Sequence, residues 1–228
     1  MTEDWETKNQ TCRRKIRIPF KIHPYRQKKE FSCGASCLLM ILNAFRPNEY
    51  PLTYEKENSI HREIKYESAD FENGAKMIEF LIKRRFRVKY FYYINEAIIN
   101  SPPPNISEEE WQKYLKEFFE TLELVKKQGA EIFTLSNNVN EALNQLIEEL
   151  EVGHPIICEI QPPRSFITHS IIIRGLENCI FLVMDPLASN VFRRIHLNEL
   201  KNSMQITYGS GNIYGWNFLV IITEQQNE

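Results

Sequence analysis

At 228 residues, 43% hydrophobic and 25% charged, the chain has the size and balance of a globular protein with one substantial core. A formal net charge of −2 excludes an electrostatic case for nucleic acid or an anionic membrane as partner, and the short basic runs at 13–15, 26–29 and 83–87 read as solvated surface. The first fifteen residues hold no apolar run of signal type and no segment is apolar for the length a bilayer needs, so the expectation is one cytoplasmic domain spanning 1–228.

In chain order, the first strong pattern is a helix over 33–45, CGASCLLMILNAF, apolar nearly all round and stopped by Pro47, as befits a helix inside a core. A second helix is predicted over about 71–85, followed by a strand, RVKYFYY, rich in aromatic and β-branched residues. Its Tyr90, Phe91, Tyr92 and Tyr93 are read as core. The run SPPPN at 101–105 marks a loop. Ser107 with Glu110 forms a capping-box pattern that opens a long helix, with Trp111, Leu115, Phe118, Leu122 and Val125 on one face and Gly129 at its end.

Beyond Ala130 the texture changes. A short strand (EIFTL) and a helix (NEALNQLIEEL) lead through a turn at Gly153 to the strands HPIICEI, ITHSIIIRG, CIFLVMD and NVFRRI, and WNFLVII closes the pattern. Helices early and strands late predict an α+β fold, with N-terminal helices packed on a C-terminal, mostly antiparallel sheet whose strand order the sequence does not reveal.

The five cysteines, Cys12, Cys33, Cys37, Cys158 and Cys179, are odd in number and scattered, so reduced thiols are expected in place of a disulfide framework. Metal-ligand spacing is lacking, and neither a metal nor a cofactor is called for. Cys33 opens the buried helix, where unsatisfied N–H groups and the helix dipole favour a thiolate, so a lowered pKa is expected. Gly34 beside it presents no side chain and leaves room for a substrate backbone. Cys37, one turn on, reads as inert core.

A nucleophilic cysteine needs a base, and the base needs a group that orients it. His23, His61, His154 and His196 are each assigned structural or surface roles. His169 begins one strand, Asp185 ends the next, and the polar connection LEN between them predicts a hairpin that sets the two side by side.

Gln27 six positions before Cys33-Gly34, the continuation Ala-x-Cys-Leu, G-H-P-I-I ahead of His169, and D-P at Asp185 together resemble the bacteriocin-processing (double-glycine leader) cysteine peptidases of the papain clan, and their stand-alone relatives. The helix near 196–203 and GWNFLVII resemble that family's closing elements. The resemblance implies a papain-like fold with Cys33 as nucleophile, His169 as general base and acid, Asp185 as its orienter and Gln27 as oxyanion donor beside the Cys33 N–H. Gly34 and Thr168 then become substrate-binding candidates, and the partner is a peptide or protein substrate, with any activating partner unidentified. Cleavage of a double-glycine leader is not implied, because the membrane-spanning and ATP-binding segments usually fused to such peptidases are missing from this sequence. Residues 50–130 exceed what a minimal peptidase domain needs and are read as an elaboration, a lid or a specificity surface. The wording SCGASCLLMILNAF is also similar to phytochelatin synthase, which keeps open a transpeptidase or acyltransferase with the same triad, and a further alternative is an idle papain-like module that binds a peptide or partner through residues 50–130.

Overall fold

A computed structural model describes residues 14–66, 72–95, 102, 106–162, 168–208 and 212–222. In chain order the elements are β1 (Lys15–Arg17), α1 (Cys33–Phe45), α2 (Tyr54–Ile64), α3 (Gly74–Lys83), β2 (Arg87–Ile94), α4 (Glu108–Lys127), β3 (Glu131–Thr134) and α5 (Val139–Val152). They continue with β4 (Ile156–Ile160), β5 (His169–Glu177), β6 (Ile180–Met184), β7 (Phe192–His196), α6 (Leu197–Met204), β8 (Ile206–Tyr208) and β9 (Asn212–Ile222). This is the α+β arrangement expected, with helices packed on one large, mostly antiparallel sheet.

The sheet runs β3-β2-β9-β4-β5-β6-β7, and only β2 and β3 pair in parallel. The C-terminal strand therefore lies inside the sheet, between the early β2 and the late β4. β4 covers the first half of β5, from His169 to Ile173, and β1 continues that side at Gly175 to Glu177. β5 and β6 form the predicted hairpin, turned by Asn178 and Cys179, whose φ angles of 51° and 62° are those of a type I′ turn.

α1 buries every residue from Gly34 to Leu42, which its unbroken apolar sequence demands, and it packs on β4 and β5 in the main core. Fully burying each of its leucines contributes about 1.5–3 kcal/mol. The α4 stripe is buried as predicted, and the Ser107–Glu110 capping box is formed. Along that stripe, Trp111 and Leu115 join Ile206 in a small satellite cluster, while Phe118, Leu122 and Val125 join the main core. Tyr90 and Phe91 are buried, and Tyr92 and Tyr93 pack against the core half-buried. α5 ends on Gly153, whose φ of 97° suits glycine.

Three expectations need correction. The helix placed at about 71–85 is shorter, starting at Gly74 because the Asn73 side chain accepts the N–H groups of Ala75 and Lys76. β1 and β8 were not anticipated, and the charged helical stretch around His61 is α2, which buries one face. Cys33, Cys37 and Cys158 are free thiols, but Cys179 is disulfide-bonded, since spacing along a chain does not tell which cysteines a fold brings together. Cys12, Phe71 and most of the 101–105 run lie outside the described residues. Among the described residues no helix is long and apolar enough to cross a membrane.

Candidate active site

The hairpin joins His169 to Asp185 as the sequence predicts. Both are buried, and His169 Nε2 lies 2.7 Å from Asp185 Oδ1. With Nε2–H donating to the carboxylate, the remaining ring nitrogen, Nδ1, is the one left to exchange a proton. Asp185 also accepts Arg193 Nη1 at 2.7 Å and the Leu187 N–H at 3.0 Å. Burial pushes its pKa up, but the His169 and Arg193 donors outweigh this and hold the carboxyl far below its ordinary value.

One turn into α1, Cys37 Sγ donates to the Ser170 carbonyl at 3.4 Å, which pins α1 to the start of β5. The backbone and hydroxyl of Ser170 also favour the thiolate form of Cys33. The Gln27 N–H donates to the Pro186 carbonyl at 3.0 Å, so the loop before α1 is tied to the segment that carries Asp185. Gln27 Nε2 donates to the Lys29 carbonyl at 3.1 Å, and Gln27 Oε1 is buried without a hydrogen bond. Phe31, two residues before Cys33, has a φ of 57°, a strained value for an aromatic residue and one often found beside functional groups. Thr168 adjoins His169, half-buried.

Sequence reasoning missed two carboxylates at this centre. Glu57 of α2 is fully buried and accepts the Tyr25 hydroxyl at 2.7 Å, the Lys28 N–H at 3.0 Å, the Lys29 N–H at 3.3 Å, and the hydroxyls of Ser32 at 2.5 Å and Ser36 at 3.2 Å. It thereby binds the Gln27 loop to α1.

Glu72 sits on the first turn of α1. Its Oε2 accepts the Gly34 N–H at 2.6 Å, its Oε1 accepts the Ala35 N–H at 2.8 Å, and Cys33 Sγ lies 3.9 Å from Oε2. Behind it, fully buried His61 approaches Oε1 through Nδ1 at 3.2 Å, which moves His61 from the surface to the site. The room at Gly34 is not open to a substrate. A Cβ there would meet Glu72 Oε2 at 2.7 Å and Met77 Sδ at 3.1 Å.

These groups reverse the expected thiol chemistry. Burial, and then the Glu72 charge, push the Cys33 thiol up to about 12, opposed only in part by Ser170. The helix terminus does stabilise an anion, but the anion seated on it is Glu72. Of the remaining histidines, His154 pairs with Glu149 at 2.8 Å, His196 caps α6, and His23 is exposed.

The sequence model of the family described as Peptidase_C39 like matches residues 20–211. Among solved structures, one of a protein assigned as a C39-like peptidase from Bacillus anthracis superposes with a TM-score of 0.50 at 9% identity, covering 92% of this chain and 98% of that one. At that identity the likeness concerns the fold. No curated protein matches the chain.

Proposed function

Because the chain belongs to the Peptidase_C39 like family, we propose that it is a cysteine peptidase, cleaving a peptide or protein substrate by acyl transfer through Cys33, His169 and Asp185. The observation that carries this reading is the buried 2.7 Å bond between His169 Nε2 and Asp185 Oδ1, on strands linked to the nucleophile helix through Ser170.

In the proposed reaction the Cys33 proton passes to His169 Nδ1 and the sulfur attacks the scissile carbonyl, forming a C–S bond. The oxyanion faces the Cys33 N–H and the Gln27 amide. Nδ1 returns the proton to the leaving amine as the C–N bond breaks. Water, deprotonated by His169, then splits the thioester, releasing a carboxylate and restoring the thiol.

The test is digestion of a proteome-derived peptide mixture, read by mass spectrometry, with and without an added amine. The wild type is expected to generate new C-terminal carboxylates, and Cys33→Ala and His169→Ala are expected to reduce this at least a thousandfold. Amide products that need the amine would turn the reading to a transferase with the same triad. Cleavage that survives in Cys33→Ala would defeat both.

A second reading, a papain-like fold that holds peptide without turning it over, draws on the raised pKa of Cys33. It predicts equal peptide retention by the wild type and Cys33→Ala, with no products.

A further inference from the structure

The segment between α1 and β2 places a carboxylate on the first turn of the helix that Cys33 opens. Glu72 bonds the Gly34 and Ala35 N–H groups at 2.6 and 2.8 Å, with its Oε2 also 3.9 Å from Cys33 Sγ. His61 is fully buried behind it, with Nδ1 on Glu72 Oε1 and Nε2 without a hydrogen bond. The glycine at position 34 is what admits this carboxylate, because a side chain there would collide with Oε2.

We infer that Glu72 is a restraining residue for Cys33: by occupying the anion position of the nucleophile helix, it keeps the sulfur protonated in the resting protein. The inference rests on Cys33 being the nucleophile. Coulomb's law gives its sign: a negative charge within 4 Å in an enclosed site disfavours a second one. Desolvation and the Glu72 charge are the two largest causes of the raised Cys33 pKa.

The other groups around the sulfur do not account for the effect as directly. Glu159 on β4 adds a weaker push of the same sign, and Ser170 on β5 opposes it. Cys37 on α1 is itself an uncharged thiol with its pKa raised by burial. Asp185, paired with His169 and Arg193, pushes on Cys37 behind Cys33. The N–H donors of the first turn, which would otherwise favour a thiolate, are spent on Glu72.

The test is the pH dependence of iodoacetamide alkylation, followed at the Cys33 peptide by mass spectrometry from pH 6 to 10. The wild-type rate is expected to climb through the whole range without a plateau. Glu72→Gln can still accept one of the two N–H bonds but carries no charge, so it separates charge from capping. It is expected to displace the whole rate profile toward lower pH by at least a unit and to raise the rate at pH 8 severalfold, somewhat less than the thiolate gain because a less basic sulfur is a weaker nucleophile.

Gly34→Ala is a second route, since its Cβ must displace the Glu72 carboxylate without altering it. The same downward shift is expected, and this variant decides the matter should Glu72→Gln fail to fold. A Glu72→Gln profile superimposed on the wild type overturns the inference. The readout needs no substrate, so it fails separately from the peptidase reading: a shifted profile without peptide cleavage sinks only the latter, and cleavage with an unmoved profile sinks only the restraint.

Discussion

Asp185 does two jobs through one carboxylate, orienting His169 and closing a bond network with Arg193 and Leu187. For the first, Asp185→Asn is expected to lower peptide cleavage by roughly 10²–10⁴, the range for a residue that orients the base without entering the covalent chemistry. The second is a stability contribution whose sign follows from the depressed pKa. A carboxyl that is harder to protonate folded than unfolded stabilises the fold above its unfolded pKa of about 3.9, and the contribution is lost as pH falls below that value. Urea unfolding of wild type and Asp185→Asn should therefore differ by roughly 2 kcal/mol at pH 7, a gap that narrows progressively as the pH falls below about 4. A gap constant from pH 7 to pH 3 would show that the network does not depend on the ionised form. This pair was legible in the sequence because a short hairpin fixes which residues lie opposite. Glu72 was not, because its contact with Cys33 crosses 39 positions with no local pattern to announce it.

At the scale of elements, α1 was legible to the residue, opened by Cys33 and closed by Phe45 ahead of Pro47. The helical character of α2 around His61 was legible but its burial was not, and the reason is physical. Its buried face consists of Glu57, Ile60, His61 and Ile64, so two of the four residues that make it a core helix are ones that a hydrophobic pattern counts as solvated. They are buried because each has polar partners waiting, Glu57 on the 25–36 segment and His61 on Glu72. That makes α2 a clamp on the loop that carries Gln27. Glu57→Ala would strand several buried donors, each worth about 1–3 kcal/mol when left unpaired, and is expected to destabilise the protein by at least about 3 kcal/mol in urea unfolding. Amide exchange should accelerate first at residues 25–36. Glu63→Ala, which breaks a partly exposed pair with Arg84, should cost less than about 1 kcal/mol. Equal effects from the two variants would contradict the clamp.

Across the whole molecule, the sheet order was hidden because β9 enters between β2 and β4, and its pairing with β2 spans more than half the chain. The disulfide at Cys179 was hidden too, because an odd, scattered set of cysteines does not show which of them a fold crosslinks. This residue sits in the type I′ turn that aligns β5 with β6, and its carbonyl accepts the Leu197 N–H at the start of α6. A crosslink at that turn restrains the hairpin that holds His169 against Asp185, and a disulfide typically stabilises a fold by about 2–4 kcal/mol. A protein with both a disulfide and free thiols also has to avoid exchange between them. Exchange proceeds through the thiolate, so a Cys33 pushed up to about 12 is a poor attacker at neutral pH. Dithiothreitol should lower the urea midpoint of the wild type by an amount that matches this range, and Cys179→Ser should show the same loss with no further response to reductant. A wild type indifferent to reductant would mean that the bond adds nothing. If the restraint by Glu72 also holds, Glu72→Gln should lose its disulfide to intramolecular scrambling faster than the wild type on incubation at pH 8, seen as Cys33 joined to a new partner in non-reduced peptide maps.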